Sequence, residues 1–450
     1  YSVRDLNIGS VPGFTSTNGN VTLLVDGKTN VGLITARNGT VMINSEDAIV
    51  DRRDDAADNI ESLNVNLNSQ NGTIGDADNP LDIDTSYSGT GFVDVDAEST
   101  VYLIETAGTM HARIITSHTD DVSLETLSGS ILDFNNDNAN NITGINIDLI
   151  ASGGDIGEFG DALEIDSSNP SQGLLNASAV NSDIDIAETD GPLSVGTIFS
   201  GCGDIRLSVR DTADTDEDLI MDSDASIDAT GGVLGGSGGN VLLRVGDDVD
   251  MQEGASINAL NSITIRGDID DLGLADADPG VGVTMDIFGD LAADDIYVYG
   301  RGDVDNILFT PETLSGWTRI YGGVGNDFII LDRLPNLDLT NKFNGVPDTS
   351  TLVTGRTGGE RDTVDVDGQD GTDRTTVITS GNTDYIVNVR DSGAPDDGAD
   401  RLTIEGSTAD DTFLMRRDFV ARMQQTGAVD DEGNPIYGPD YERVNYTESI

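Results

Sequence analysis

The chain has 450 residues, of which 82 are acidic and 23 basic, so its formal net charge is −59. Such a charge repels nucleic acids and anionic surfaces, and neither is an expected partner. No stretch approaches the roughly 18 apolar residues that a membrane helix needs, so membrane insertion is not expected either. A single cysteine, Cys202, excludes an internal disulfide framework and is interpreted as an incidental free thiol.

Short runs of Val, Ile and Leu alternate with polar residues along most of the chain. This alternation predicts β-strands with one buried and one wet face, and the Gly, Asn, Asp and Ser residues between them predict tight turns. The clearest runs are residues 21–25, 31–36, 41–44, 63–67, 81–84, 92–97, 101–106, 112–116, 122–126 and 131–134. The most helix-like stretch is 418–425, which is predicted as one short helix.

An internal repeat of about 82 residues covers 63–143 and 145–226. The positions of the first copy that recur 82 residues later are Asn64, Leu67, Gly72, Ile74, Gly75, Leu81, Ile83, Asp84 and Ser86. The repeat contains several strand-like runs and no helical crossover. It therefore predicts stacked coils, in which the strands of each turn pair with those of the turns above and below.

We therefore predict an all-β fold: a right-handed parallel β-helix over residues 1–290, followed by a smaller β-rich region over 291–450. Asp and Gly cluster into turns in the second region. An immunoglobulin-like sandwich is the competing fold, since it needs about 100 residues and seven strands. The regular spacing of the strand runs favours the solenoid.

The sharpest motif is the run GGVGND at 322–327, which fits the GGxGxDxU repeat of a calcium-binding β-roll. Gly322, Gly323 and Gly325 let the backbone turn tightly, and Asp327 supplies a hard carboxylate ligand. Asp305 occupies the matching position in a degraded copy 22 residues earlier. Weaker echoes follow at 358–365, 368–374, 397–403 and 406–413. Two interpretations stay open: a few weak calcium sites, or glycine-rich corners without metal.

Nothing in the sequence predicts catalysis, and we expect the chain not to be an enzyme. Pairs of acidic residues are abundant, but catalysis requires unlike groups to converge. The two histidines, His111 and His118, flank a strand-like run and are interpreted as exposed turn residues. Motifs of the GxSxG, HExxH, CxxC and P-loop types do not occur.

The repeats GTIGDADNPLDIDTS and GDIGEFGDALEIDSS, with the segments that follow them, resemble those of giant bacterial surface proteins similar to filamentous haemagglutinin-like adhesins. The glycine-rich turns resemble RTX turns. The resemblance implies secretion, a β-helical rod at the bacterial cell surface, and calcium at Gly322, Gly323, Gly325, Asp327 and Asp305. Because the chain begins at Tyr1 without a signal peptide, we interpret it as a segment of a longer protein.

Three functions follow as hypotheses. The first is a segment of a structural or adhesive surface protein or filament, which associates with itself end to end. The second is a calcium-dependent module that binds a cell-surface glycan or receptor. The third is a β-helical polysaccharide lyase or hydrolase, in which clustered carboxylates would act as acid and base.

Overall fold

The computed structural model describes residues 5–9, 13–17, 19–53, 55–212, 216–231, 239–268, 280–337, 362–394, 398–408 and 410–446, without the side chains of 424–427 and 437–441. These residues contain strands and turns but no helix, and the strands stack as parallel coils into a β-solenoid of about 14 turns. The predicted fold class is confirmed. Within these ranges, no helix is long and apolar enough to cross a membrane.

The chain divides into two compact units. Unit 1 comprises residues 1–209 and 231–238, and unit 2 comprises 210–230 and 239–450. The strands of unit 1 are β1 (Leu6–Asn7), β2 (Phe14–Thr15), β3 (Val21–Val25), β4 (Thr29–Val31), β5 (Ile34–Ser45), β6 (Ile49–Asp51), β7 (Ile60–Ser69), β8 (Leu81–Asp84), β9 (Val93–Ala97), β10 (Val101–Glu105), β11 (Met110–Ser117), β12 (Val122–Thr126), β13 (Ile131–Asp133), β14 (Ile142–Thr143), β15 (Ile147–Ala151), β16 (Leu163–Asp166), β17 (Leu174–Ala179), β18 (Ile184–Glu188), β19 (Leu193–Ser200) and β20 (Ile205–Val209).

The strands of unit 2 are β21 (Leu219–Met221), β22 (Ser226–Ala229), β23 (Val241–Arg244), β24 (Val249–Met251), β25 (Ser256–Ala259), β26 (Ser262–Arg266), β27 (Thr284–Ile287), β28 (Asp290–Arg301), β29 (Asn306–Phe309), β30 (Leu314–Gly325), β31 (Phe328–Asp332), β32 (Val364–Gly371), β33 (Arg374–Ile378), β34 (Tyr385–Arg390), β35 (Arg401–Glu405), β36 (Phe413–Met415), β37 (Phe419–Val429) and β38 (Pro435–Tyr446).

Alternation along strands such as β10 places apolar side chains inside the coil, where they stack on their counterparts in the next turn. In β10, Val101 is fully buried, whereas Tyr102 is only partly buried. Val101 is in register with Val122 of β12, and Val122 with Ile147 of β15, all in parallel pairs. Burial of such columns of branched side chains, at about 25 cal/mol per Å² of apolar surface, supplies the main stabilising free energy.

The 82-residue repeat of unit 1 is visible in its buried hydrogen bonds. Asn59 Nδ2 donates to Asp51 Oδ1 at 2.5 Å, and Asn141 Nδ2 donates to Asp133 Oδ1 at 2.6 Å. Both asparagines also bind the backbone of the adjacent turn, and both are essentially inaccessible to solvent. The repeat thus conserves internal polar contacts as well as strand positions, and it extends upstream of residue 63.

A second pair of repeated contacts surrounds two buried glutamates. Glu105 accepts hydrogen bonds from the backbone N–H and the hydroxyl of Thr85, each at 2.8 Å. Glu188 accepts the equivalent bonds from Ser167, at 3.0 and 2.5 Å. Both glutamates point inward and are fully buried. Burial raises the pKa of Glu105 to about 8, so the neutral acid is favoured inside the coil.

Parallel stacking continues in unit 2 on both sides of residue 290, where the sequence placed a domain boundary. Strands β25 and β26 pair with β28, β28 pairs with β30, and β30 pairs with β32, all in parallel. The division at 290–291 into two regions stays a prediction.

The predicted helix at 418–425 is wrong. Residues Phe419–Val429 form β37, which pairs antiparallel with β36 and β38. The local sequence can support a helical period, but β36 and β38 supply backbone partners on the two edges of β37 and decide its conformation. The prediction of turn histidines is wrong for His111, which lies within β11 and is only partly exposed; His118 follows that strand and is exposed.

Truncation of a buried ring should reveal how strongly unit 2 depends on its stacked core. Phe309 is fully buried, with Ile287 and Leu331 as its register partners in the adjacent turns. Phe309→Ala should lower the free energy of unfolding by about 3–5 kcal/mol, because it removes apolar contacts and leaves a cavity. The measurement is urea denaturation followed by the fluorescence of Trp317, the only tryptophan in the chain.

The matched control is Met415→Ala, at a position that is 70% exposed. It should cost less than about 0.5 kcal/mol. Equal losses for the two variants would contradict a core built from stacked apolar columns.

Candidate functional site: a buried acid column

The glycines of the predicted motif lie where two turns of unit 2 pack closely. Gly322, Gly323 and Gly325 belong to β30. A Cβ atom on Gly323 would lie 2.0 Å from the carbonyl oxygen of Arg301, and one on Gly325 would lie 1.5 Å from that of Asp303. Gly323 also has a φ of +119°. Glycine is therefore required here for backbone packing, as the sequence predicted on conformational grounds.

The two predicted aspartates lie in successive turns and are linked through the backbone. Asp305 N–H donates to Asp327 Oδ1 at 3.0 Å, and Asp327 N–H donates to Asp373 Oδ1 at 2.9 Å. The contact repeats once more, since Asp373 N–H donates to Asp400 Oδ1 at 2.9 Å. Each carboxylate therefore binds the turn that precedes it. Asp373 and Asp400 belong to the weaker echoes at 368–374 and 397–403.

The same arrangement extends towards the beginning of unit 2. Glu217 N–H donates to Asp247 Oδ2 at 3.0 Å, and Val283 N–H donates to Asp305 Oδ1 at 3.0 Å. The register of the following strands places these positions in one line along the stack. We name as the acid column the residues Glu217, Asp247, Asp305, Asp327, Asp373 and Asp400, with Val283 interposed.

Sequence reasoning did not assign Glu217 and Asp247 to this column, because neither follows a glycine-rich motif. All residues of the acid column share a weaker feature that relates their position to the strands. Each stands at the end of a turn, one or two positions before a strand begins.

Four members of the column are buried and have one carboxylate oxygen each without a hydrogen-bond donor among the described residues: Glu217, through its Oε2 atom, and the three aspartates that follow. Asp305 and Asp327 are fully buried and Asp373 is 3% exposed. In each, the Oδ2 atom has no hydrogen-bond partner among the residues that the structure describes. A Cβ atom on Gly300 would lie 2.1 Å from Asp305 Oδ2, and one on Gly322 would lie 2.4 Å from Asp327 Oδ2. The glycine five residues earlier thus provides the space that each carboxyl group fills.

Burial makes ionisation of these acids unfavourable. It raises the pKa of Asp305 to about 8, and it raises the pKa of Asp327 and Asp373 to about 6. Neighbouring carboxylates add to the effect, as Asp327 does at Asp305. A buried carboxylate oxygen that lacks a donor is costly. A proton on Oδ2 or a nearby cation would remove that cost.

Calcium is the cation in one of the two interpretations that the sequence left open here, and the donor set partly fits it. Calcium takes six to eight oxygen ligands, including carboxylates and backbone carbonyls. Within the described ranges no group of three or more His, Cys, Asp and Glu side chains is placed to hold a metal ion. A calcium ion at the column would therefore take carboxylate oxygen from Asp305 or Asp327 and complete its shell with backbone carbonyls.

The column meets the surface near its last turns. A cavity of about 350 Å³ is lined by residues that include Asp373, Asp391 and Asp400, together with Arg390. Arg390 Nε lies 3.0 Å from Asp367 Oδ2. Protons and small cations therefore have a route to this part of the column.

The outer face of β28 and β30 carries a cluster of four aromatic side chains that the sequence did not predict. The rings of Tyr299 and Tyr321 stack with centroids 4.9 Å apart, and those of Tyr297 and Tyr299 are 6.2 Å apart. The guanidinium of Arg319 lies 3.4 Å from the Trp317 ring centroid and 4.7 Å from that of Tyr297. We name Tyr297, Tyr299, Trp317 and Tyr321 the aromatic face. Its rings stack mainly on one another and on arginine, which stabilises the stacked turns.

The chain was compared with protein-family models, with curated proteins and with solved structures, and none of these comparisons finds a match.

The pH dependence of stability should reveal the buried acids of unit 2. Carboxyls with a raised pKa bind protons in the folded state that the unfolded chain releases near pH 4. The free energy of unfolding should therefore fall as the pH rises from 5 to 8, by up to about 1.4 kcal/mol per pH unit for each titrating carboxyl. Asp305→Asn imitates the protonated acid and should flatten this dependence. The measurement is urea denaturation in EDTA, monitored by Trp317 fluorescence.

The control is Asp222→Asn, which changes an exposed carboxylate of the same unit. It should leave the slope unchanged. If the stability of unit 2 rises with pH over this interval, the column does not hold protons in the way proposed.

Proposed function

We propose that the chain is a segment of a secreted bacterial surface adhesin or extracellular filament, with a structural and adhesive role. The observation that carries this proposal is the stack of parallel β-coils. Such a stack lengthens by adding turns, each of which contacts only its neighbours, and it presents repeated side chains along its outer faces. The resemblance of the repeats to those of giant bacterial surface proteins supports the same role and an extracellular location.

Stabilisation by calcium is the second part of the proposal. Asp305 and Asp327 are adjacent in the column, fully buried, and each has one oxygen without a donor. A divalent cation beside them would neutralise charge that solvent cannot screen, and would do so without protonation. Calcium would then be a structural ion, and no residue is proposed to break bonds in a substrate.

Self-association is the third part. The edges of parallel strands present unpaired N–H and C=O groups wherever no further strand covers them. We propose that copies associate end to end through such edges. For adhesion, the proposed partners are glycans or receptors on a cell surface.

The alternative function is a calcium-dependent module that binds a carbohydrate or a receptor, and the aromatic face favours it. Aromatic rings on an outer surface can stack against sugar rings. In this structure, however, the faces of Tyr299 and Tyr321 are turned towards each other, and Trp317 lies against Arg319. The rings therefore offer mainly their edges to a ligand, and the structural role is the better supported.

Calcium should raise the melting temperature of unit 2. At a calcium concentration 100 times the dissociation constant, binding to the folded state alone stabilises it by about 2.7 kcal/mol. This corresponds to a shift of several degrees for a unit of this size. The shift should be lost in Asp327→Asn and in Asp305→Asn, and retained in Asp222→Asn. The measurement is thermal unfolding at pH 7 in EDTA and in millimolar calcium, followed by Trp317 fluorescence.

No shift with millimolar calcium would eliminate the calcium part of the proposal. The filament part has its own test, because electron micrographs of the full chain should show particles joined end to end. Isolated globular monomers at all concentrations would count against it. Release of unsaturated ends from pectin or alginate would overturn the non-enzymatic role.

A further inference from the structure

Strand β35 of unit 2 leaves one of its two edges open. Among the described residues it pairs only with β33, in parallel. The N–H of Arg401 donates to the carbonyl oxygen of Asp373 at 2.9 Å, so the backbone groups of Arg401 point towards β33. Because these groups alternate in direction along a strand, those of Leu402 and Ile404 point away from β33. The open edge therefore presents two N–H and two C=O groups to a further strand.

The inward side chains of β35 continue apolar columns of unit 2 but are only partly covered. Leu402 is in register with Thr375, and Ile404 with Val377. Val377 is fully buried and Thr375 is 5% exposed, whereas Leu402 and Ile404 are only half-buried. A cavity of about 450 Å³ adjoins them, lined by Leu402, Ile404, Phe413, Met415, Val420 and Tyr446. A further strand with apolar inward side chains would therefore complete the core at this edge.

The outward side chains of β35 carry two opposite charges in a symmetric arrangement. Arg401 and Glu405 are both exposed, and each lies two residues from Thr403. A chain with 82 acidic and 23 basic residues repels its own copies over much of its surface. The five residues of β35 instead carry one positive and one negative charge. This edge is therefore suited to a second copy of the chain.

An antiparallel pair of two β35 strands, related by a two-fold axis at Thr403, satisfies these groups together. Leu402 of each copy then lies opposite Ile404 of the other, and each such pair exchanges two N–H···O bonds. Arg401 of each copy lies opposite Glu405 of the other in a non-hydrogen-bonded pair, where cross-strand side chains approach most closely. No other antiparallel register places the two opposite charges against each other.

We propose that two copies of the chain associate through β35 as an antiparallel pair with two-fold symmetry. The partner is a second copy because the charges and backbone groups of this edge are complementary to themselves. The inward faces of both strands lie on the same side of the joined sheet, so Leu402 and Ile404 of each copy cover those of the other. This inference rests on the proposed end-to-end association and names its edge and its symmetry.

Charge reversal at the two outward positions tests the pairing. Glu405→Arg and Arg401→Glu each convert two pairs of opposite charge into two pairs of like charge, so each should weaken the dimer about tenfold or more. Both positions are exposed, so the variants should fold, and urea denaturation verifies that they do. An equimolar mixture of the two variants should regain the dimer, because every cross-strand pair between unlike copies is again Arg opposite Glu. The measurement is sedimentation velocity of the full chain over a concentration series, in about 0.15 M salt.

The matched control is Glu432→Arg, which makes the same change of charge at an exposed turn residue of unit 2. It should leave the dissociation constant of the dimer unchanged.

A cysteine at the proposed two-fold axis gives a covalent readout. Thr403→Cys is made together with Cys202→Ser, which removes the only natural cysteine. Two residues in a non-hydrogen-bonded antiparallel pair have Cα atoms about 4.5 Å apart, within the range that a disulfide spans. Mild oxidation should therefore join two copies through residue 403, and the yield should fall when Glu405→Arg is added.

Loss of the dimer in both charge variants and its return in their mixture would establish the pairing. If the charge variants associate as the unmodified chain does, the β35 pairing is wrong, while end-to-end association stands through another edge. If mixing does not restore the dimer, the contact lacks two-fold symmetry and the inference is overturned. A chain that stays monomeric at every concentration, and forms no disulfide through residue 403, contradicts both proposals and leaves the edge to an extended segment of another protein.

Discussion

Parallel pairing between successive turns places inward side chains directly above the equivalent side chains of the next turn, about 4.8 Å away. Apolar columns exploit this constraint, as Val101, Val122 and Ile147 do. The same geometry is unfavourable for acids, since each buried carboxylate would lie close to the charge above and the charge below. Coulomb repulsion at such distances is strong wherever water is excluded. Wherever the stack buries an acid, some form of neutralisation therefore lowers the free-energy cost.

The chain neutralises its buried acids in several ways. Glu105 is surrounded by donors from Thr85, and its raised pKa favours the neutral acid. The buried carboxylate of Asp185 pairs with Arg206, whose Nη1 atom lies 2.9 Å from Asp185 Oδ2. In Asp305, Asp327 and Asp373 of the acid column, one carboxylate oxygen accepts a backbone N–H of the neighbouring turn, whereas the other has no donor among the described residues. The backbone bonds specify the register of the turns, and we propose that the second oxygen makes the column sensitive to protons and cations. The same carboxyl groups thereby contribute to the register of the turns and to the proposed response to protons and cations.

The sequence predicted those features that depend on local pattern or on short, regular spacing. Strands β3 and β8 begin and end at the residues that the alternation predicted. Asp305 and Asp327 adjoin because their 22-residue spacing equals one turn. Asp373 is 46 residues from Asp327, and this longer interval concealed its place in the same column. The strand β37 was missed because its conformation depends on β38, a partner that no local period reveals.

The correspondence between residues 51–59 and 133–141 can be found from the sequence alone. Finding it requires an alignment of the repeats that starts at residue 51 rather than at residue 63. Arg53 in the loop 51–59 then aligns with Asn135 in the loop 133–141, and Asp54 and Asp58 align with Asn136 and Asn140, so acids are lost together with the arginine. The physical meaning of that exchange still depends on the structure, because only the contacts of Arg53 with Ala57 and Asp58 show that the loop encloses positive charge.

The burial of some carboxylates also changes the interpretation of the net charge of −59. Most of the carboxylates lie in turns and on outer faces, where water and salt screen them within about 10 Å at 0.1 M ionic strength. Such groups contribute little to the choice between folded and unfolded states. The few acids that screening does not reach are those enclosed by the turns, such as Asp305 and Asp327. We therefore expect the response of this chain to acid and to divalent ions to depend on the buried minority of its carboxylates, and the exposed majority to repel anionic partners.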